Sequence, residues 1–567
     1  MVLKILDKHL ATIGASRTRG ENMKSVARFY GISDVSIPSF QYTRDSCKVR
    51  IDADGSFSHV LGIEIDGSRG ESKAFDDQFA AVAAKPVELQ ERLRDLEDSP
   101  SEFTLLKNCA SVCKVVHLMR ATGSYIATET LADFDNSVID SVGHMLGHQV
   151  DDEAKLQIGL PTNQGGLGLY RAGSMALSAF VACRTEVAPF ADHLIGDFET
   201  MFPTGGMVKQ IFDEELGCAT DDFMLCLQPN SKVIAREKIS IAATDATQRF
   251  AALVNGIRSP ESSLRADQDT LLQPAGHEDM ENMYDGRLQG ALFQICGTDL
   301  LQKLGRQMAS KEKWDCMKRM RELRDNSTLH EWLNSSSPKC GSILSSTEFV
   351  DSLRLWFGAS FTEDGLECKK CATPVDSRMV HAQCCDRSNA TRGHYRVRDC
   401  VHVLASIHDP LAQLETVGLA PSNAQLRPAD IFCSGPTGLV ALDINVSSPF
   451  AQTAGDDCCE ASFHRKRNDY LPILPELENQ GITYMPLCFS SYGRLHAEVV
   501  RWLDFSAKAA ARRRGISNFR PILARVRRNI AVVVQRRLVN QVRARLPHSE
   551  DALEGIFSEL DHATLVS

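Results

Sequence analysis

The chain has 567 residues, 43% of them hydrophobic and 24% charged, with a formal net charge of −10 at pH 7. That length allows several cores, about three or four units, and the composition is that of globular protein, not of disorder. The acidic total excludes a uniformly cationic nucleic-acid binder, and no apolar run reaches the ~18–20 residues that a membrane span needs.

In chain order, the run Met1 to Lys8 meets charge too early for the apolar region of a signal peptide. A soluble, intracellular protein without a membrane partner is expected, its 18 cysteines serving as buried thiols and metal ligands and not as disulfides. Residues 1–60 are mixed and end in a strand-like run, Val60-Leu61-Gly62-Ile63-Glu64-Ile65. Two helices follow. Phe75, Phe79, Val82, Leu89, Leu93 and Leu96 recur at helical spacing, with a break expected at Pro86; Leu105, Leu106, Cys109, Val112, Cys113 and Val116 mark the second. The Gly-rich stretch Leu160 to Leu169 lacks the spacing of a phosphate-cradling loop, because Gly165-Gly166-x-Gly168 fits neither GxGxxG nor a P-loop. It reads as a turn feeding a helix. Residues 201–365 read as mainly helical, with polar loops around Ser259-Pro260, Pro274-Ala275-Gly276 and Ser335-Ser336-Ser337-Pro338, and show no chemistry.

Leu353 to Phe357 leads directly into Cys368-Lys369-Lys370-Cys371, nine residues, His381, and Cys384-Cys385. Two thiolates at C-x2-C with a His and a further Cys can close a tetrahedral zinc site, which supplies folding energy to a segment too short for its own core. Cys384 and Cys385 are both chemically competent as the fourth ligand. The alternative is a reduced, metal-free loop.

A hairpin is expected next. Ile431 and Cys433 alternate with Asp430 and Phe432, Ser434 to Gly438 reads as a turn, and Leu442, Ile444 and Val446 alternate with Ala441, Asp443 and Asn445. Pairing Ile431 with Leu442 and Cys433 with Val440 matches apolar face to apolar face, whereas a one-residue slip sets Asp430 against Leu442. The favoured register puts Asp430 opposite Asp443, with Cβ atoms about 4.5–5.5 Å apart, near enough for two carboxylates to share Mg²⁺. Lys466 is then a candidate for charge stabilisation or proton transfer. The competing reading leaves both aspartates on the solvated face of an ordinary hairpin.

Further on, Ile482 to Phe489 reads as a strand and Ser490 to Arg494 as a turn. From Lys508 to Arg545 there are twelve Lys/Arg and no Asp or Glu, with apolar residues from Phe519 to Val542 at mixed helical spacing. Arg512, Arg513, Arg514, Arg525 and Arg528 are therefore candidates for phosphate-backbone binding, against the alternative of a solvated helix face.

Together these stretches resemble a family. Arg427-Pro428-Ala429-Asp430, the turn, Asp443-Ile444-Asn445-Val446-Ser447-Ser448-Pro449-Phe450 and His464-Arg465-Lys466-Arg467-Asn468-Asp469-Tyr470 resemble the restriction-enzyme-like endonuclease at the C-terminus of site-specific non-LTR retrotransposon proteins. The resemblance implies Asp430, Asp443, Lys466 and Tyr470 as catalytic residues, with Glu415 as an upstream acid. It implies His394, with Arg396 close by, as nucleic-acid-contacting residues before the first nuclease helix, and Cys368, Cys371, His381 and Cys385 as ligands of a structural Zn²⁺. Ala429 stands where the family usually has Pro, Asn445 where many restriction-type sites have Lys, and Asp469 where a basic residue is common. These departures sustain the alternative of a catalytically inactive nucleic-acid-binding remnant; a helical scaffold with an incidental knuckle is a third reading. The Val60 run, the two helices and Leu160 to Leu169 resemble the family's primer grip and thumb. The polymerase acids would have to precede that grip, and the first 60 residues leave no room for them, so polymerisation is not expected from this chain. Ala219-Thr220-Asp221-Asp222 imitates the polymerase Asp pair out of order, and is expected at a helix N-terminus, where acids are favourable.

The resulting expectation is an α+β multidomain protein: a palm and primer-grip remnant at 1–66, a thumb-like helical domain at 67–200, a helical linker at 201–365, a zinc knuckle at 366–386, a restriction-like α/β domain with a small mixed sheet at 387–505, and a basic helix with C-terminal tail at 506–567. The resemblance implies DNA and element RNA as partners and a nuclear location. It sets no oligomeric state.

Overall fold

A computed structural model describes residues 73–201, 205–254, 288–311, 313–324, 327–334, 343–361, 366–385, 390–423 and 425–546, with four short strands between 26 and 66. Met1 to Lys8 and the three expected polar loops lie outside these residues. The strands are β1 (Val26–Arg28), β2 (Arg50–Asp52), β3 (Phe57–Val60) and β4 (Ile63–Asp66). Helices follow: α1 (Lys73–Leu93), α2 (Ser99–Cys109), α3 (Val116–Thr122), α4 (Thr128–Leu146), α5 (Asp152–Ile158), α6 (Ala172–Met201), α7 (Met207–Leu225), α8 (Pro229–Val254), α9 (Leu288–Ser310), α10 (Trp314–Arg324) and α11 (Ser346–Phe357). The remainder is β5 (Leu366–Glu367), β6 (Pro374–Val375), α12 (Val380–Cys384), α13 (Ala390–His408), β7 (Gln413–Thr416), β8 (Ala429–Gly435) and β9 (Gly438–Ser447). It continues through α14 (Cys458–Asp469), α15 (Leu474–Asn479), β10 (Ile482–Ser490), α16 (Ala497–Arg513) and α17 (Arg520–Arg543). The protein is mostly helical with small mixed sheets, in keeping with an α+β class. Among the described residues no helix is long and apolar enough to cross a membrane.

Several boundaries differ from the sequence expectations. The Val60 run is two antiparallel strands, with Val60 opposite Ile63. Helix α1 runs through Pro86 without breaking. Proline removes one backbone donor, and a helix survives that loss when it buries enough apolar surface; Phe79, Ala83 and Leu93 are all buried. The second expected helix ends at Cys109, passes through a 3-10 turn at Val112–Lys114 and restarts at Val116.

The chain divides into two compact units, one of residues 1–89, 109–138 and 170–299, the other of 90–108, 139–169 and 300–567. The first is built on a helical core that packs Phe180, Val181, Phe223, Met224, Leu288 and Leu292 together. Asp135 caps α6 by accepting from the backbone N–H groups of Ala172 (2.6 Å) and Gly173 (3.1 Å). Asp221 and Asp222 correct an expectation, for they lie late in α7 and not at a helix N-terminus. Burial of the adjacent Phe223 and Met224 carries the helix past them while both acids stay exposed.

The second unit holds a four-stranded sheet of order β10-β9-β8-β7, in which β7, β8 and β9 run antiparallel and β10 joins β9 in parallel after the crossover through α14 and α15. Ala429, Ala441, Ile482 and Tyr484 from three strands pack with Ile473 and Leu477. Helix α11 starts with a capping box between Ser345 and Glu348 and buries Phe349, Leu353 and Trp356. The Gly165 carbonyl accepts from the Trp356 indole at 2.9 Å and from the Gln157 amide at 2.9 Å. Gly165 has φ +86°, and a Cβ on Gly166 would sit 2.0 Å from the Leu160 carbonyl oxygen. The glycines serve a tight, closely packed turn.

The basic C-terminal stretch forms two helices, and the second is not an open cationic face. Val526, Ile530, Val532, Val533, Val534, Leu538 and Val542 of α17 are buried. Arg528 pairs with Glu331 at 3.4 Å, Arg536 with Glu348 at 2.8 Å and Arg543 with Asp351 at 2.5 Å. Acids remote in sequence pair with cations that have none nearby, and Arg528, one of the candidates for phosphate binding, is among the paired ones. Arg525 is half-buried on the same helix, whereas Arg512, Arg513 and Arg514 are exposed at the end of α16.

Candidate functional site

Two centres in the second unit gather chemically active side chains. The first is the Cys/His cluster. The β5–β6 hairpin places Cys368 and Cys371 on its turn, where Ala372 N–H returns to the Cys368 carbonyl at 2.8 Å. Asp376 then caps α12 through the N–H groups of Val380 (3.0 Å) and His381 (2.9 Å), aiming His381 at the thiols. Cys371 Sγ lies 3.2 Å from His381 Nε2 and 3.7 Å from Cys385 Sγ, and Cys368 Sγ lies 3.9 Å from Cys385 Sγ. All four ligand atoms fall within 4.8 Å of one another. Tetrahedral Zn²⁺ with Zn–S near 2.3 Å requires S···S separations of about 3.8 Å, so the donor set and its spacing fit. These residues could bind a metal such as zinc. The choice left open by the sequence is decided geometrically: Cys385 faces the cluster, while Cys384 Sγ lies 3.4 Å from Ser448 Oγ. Thr373, through its hydroxyl and backbone, holds the Cys371 thiol down at about 6, while burial pushes Cys368 up.

The second centre lies on the sheet. Ile431 pairs with Leu442 and Cys433 with Val440, the register expected from the apolar alternation. One step beyond the last pair stand Asp430 and Asp443, near enough for the charge of one to act on the other. There the carboxylate of Asp430 takes the place of a strand acceptor, receiving the Ile444 N–H at 2.7 Å, and His394 Nε2 of α13 lies 3.2 Å from its other oxygen. Asp443 is 5% exposed. Its Oδ1 accepts from Lys466 Nζ of α14 at 3.0 Å and its Oδ2 from Tyr484 OH of β10 at 2.6 Å.

The two carboxyls are pushed in opposite directions. Burial raises Asp443, Lys466 and Tyr484 oppose it, and the charge of Asp430 raises it further. Asp430 is also disfavoured by burial, but its hydrogen bond and charge interaction with His394, the Ile444 N–H and Lys466 bring it below the ordinary carboxylate value. One acid is held ionised beside another that resists ionisation, a division characteristic of acid–base and metal sites as well as of structural networks.

The other expected residues are distributed as follows. Glu415 lies on β7 between Leu414 and Thr416, which pair with Ile431 and Ala429, and so falls level with Asp430. Its carboxylate, however, is engaged by Arg398 and, at 3.6 Å, by Arg427. Its φ of +51° is left-handed, a costly conformation for a non-glycine residue. The Tyr470 hydroxyl donates to the Arg427 carbonyl at 3.1 Å, and its ring lies 5.0 Å from that of Tyr484. Tyr470 therefore supports the residue that touches Asp443. Arg396 sits on α13 between His394 and Arg398.

Sequence reasoning missed Tyr484 and Arg398. The signal for Tyr484 was a tyrosine on the strand expected after the hairpin; that this strand joins β9 in parallel was not written locally. Arg398 is four residues from His394, hence on the same helix face. The chain matches no protein-family model, and no curated protein matches its sequence.

Proposed function

We propose that this chain is the C-terminal part of a site-specific non-LTR retrotransposon protein, acting on nucleic acid in the nucleus. In this reading a Mg²⁺-dependent, restriction-like endonuclease centre nicks target DNA. The observation that carries it is the proximity of Asp430 and Asp443 on adjacent strands, the Asp430 carboxylate accepting the N–H of Ile444 next to Asp443 and the Lys466 ammonium lying 3.0 Å from Asp443. Two hard oxygen donors with a cation beside them fit the donor chemistry Mg²⁺ requires. Mg²⁺ held there would lower the pKa of a bound water and offset charge on the scissile phosphate. Lys466 stabilises negative charge on a phosphate oxygen, His394 keeps Asp430 ionised, and Tyr484 orients Asp443. The Cys368, Cys371, His381 and Cys385 cluster takes structural Zn²⁺. The exposed Arg512, Arg513 and Arg514 supply sequence-independent attraction to DNA or element RNA.

A second reading, an inactive nucleic-acid-binding remnant, draws on a specific observation. Both oxygens of each aspartate already accept from protein groups. A nicking assay on supercoiled plasmid with the full chain separates the two. Mg²⁺-dependent nicking that is lost in Asp443→Ala supports the enzyme, and no nicking by either protein supports the remnant.

A further inference from the structure

Two arginines near the end of α17 do not follow the pairing rule of their neighbours. Arg545 is 2% exposed, and its Nη1 donates to the Gln541 carbonyl at 2.7 Å. Its Nε and Nη2 are buried with no hydrogen-bond partner, and so is Nε of Arg537. Neither guanidinium forms an ion pair among the described residues, in contrast to Arg528, Arg536 and Arg543. The charged group that acts on Arg537 is Arg545 itself, and burial together with that like charge pulls Arg537 down to about 10. Arg545 is buried and Arg537 half-buried, and a buried cation without a counter-charge is expensive, the more so with a like charge close enough to act on it.

Their position is defined. Gln541 lies four residues after Arg537 on the same face of α17, and Arg545, in the turn just past the helix, reaches back to the Gln541 carbonyl. Gln541 Nε2 donates to the Gln383 carbonyl at 2.9 Å, and the Arg545 carbonyl accepts from Lys369 N–H at 3.0 Å. Arg545 therefore stands beside the Cys/His cluster, with Arg537 two helical turns back. Guanidinium forks match the oxygens of a phosphate two at a time.

We propose that Arg537 and Arg545 form an oxyanion site beside the Cys/His cluster, taking a phosphate-class dianion through the unpartnered guanidinium donors. The phosphate is either free inorganic phosphate or one phosphate of a nucleic-acid backbone. Thermal unfolding of the full chain in inorganic phosphate, against chloride at matched ionic strength, tests the site. Wild type is expected to show a saturable rise in Tm on the order of a few degrees in phosphate. Arg537→Met and Arg545→Met lose that rise, while in chloride they melt no lower than wild type, since each removes a charge without an ion-pair partner, buried at Arg545 and half-buried at Arg537. Arg537→Lys keeps part of the rise and serves as the readout if the Met variants do not fold. A wild-type shift no larger than in chloride, or one undiminished by the substitutions, overturns the proposal. The salt dependence of binding to a short duplex DNA distinguishes the sources. A slope reduced by about one in Arg537→Met assigns a backbone phosphate, and an unchanged slope with the phosphate shift lost assigns the free ion.

Discussion

Replacing Asp443 by Asn and by Ala separates what this side chain does for stability from what it does for chemistry. Asn preserves volume and leaves Tyr484 OH, now 2.6 Å from Oδ2, an acceptor. It discards the charge-assisted bond to Lys466 at 3.0 Å, a contact worth roughly 1.5–3 kcal/mol in net terms. Against that loss stands the desolvation of a carboxylate only 5% exposed. The raised pKa of Asp443 shows that desolvation, with Asp430 adding to it, outweighs Lys466 and Tyr484. Charge at this position thus works against the fold, and the Asn variant is expected to equal or exceed wild type in its urea midpoint at neutral pH. The linkage has a definite sign: because the folded pKa lies above the ordinary 3.8, stability from this group is full below that value and is lost as pH rises through the folded pKa. Ala additionally leaves the buried Tyr484 hydroxyl without an acceptor, so it should be less stable than Asn by about 1–3 kcal/mol. Both variants should lose plasmid nicking by at least ~100-fold, since even residues one bond removed from a metal ligand cost 10–100-fold. An Ala variant as stable as Asn refutes the Tyr484 contact, and wild-type nicking by Asn refutes the cation role.

Four further outcomes are expected. Metal analysis should find one zinc per chain in wild type and in Cys384→Ser but none in Cys371→Ser or Cys385→Ser, because Cys384 faces Ser448 and not the cluster; equal zinc in all four proteins removes the assignment. Glu102 is buried with Oε1 unpartnered, and burial, opposed by Arg94, pushes it up to about 7 from 4.5. The stability it contributes is therefore present below pH 4.5 and lost as pH rises through 7, and Glu102→Gln should flatten the profile of Tm between those values; an unchanged profile disproves it. Changing Arg512, Arg513 and Arg514 together to Gln should weaken the salt dependence of DNA binding and leave Tm alone. Arg536→Gln, which strands Glu348, should lower Tm with little effect on that slope. Interchanged results would mean that the exposed and paired arginines have been assigned the wrong roles.

The amino-acid sequence by itself determined two things well. Apolar alternation around Asp430 and Asp443 specified the register of β8 and β9, because a slip of one residue would turn every apolar side chain to the opposite face. Cys368, Cys371 and His381 could be read as one ligand set because their spacing belongs to a hairpin turn and a short helix, both local structures. Tertiary structure decided the rest. Cys385 was separated from Cys384 by which thiol the end of α12 turns inward, and Tyr484 reached Asp443 because β10 crosses over to lie parallel to β9. Pro86 did not end α1, and the cations of α17 met Glu331, Glu348 and Asp351 from distant segments. Periodicity and turn chemistry act between residues a few places apart and are legible in one dimension. Which buried charge finds which partner depends on segments more than a hundred residues away, and only the packed chain brings them together.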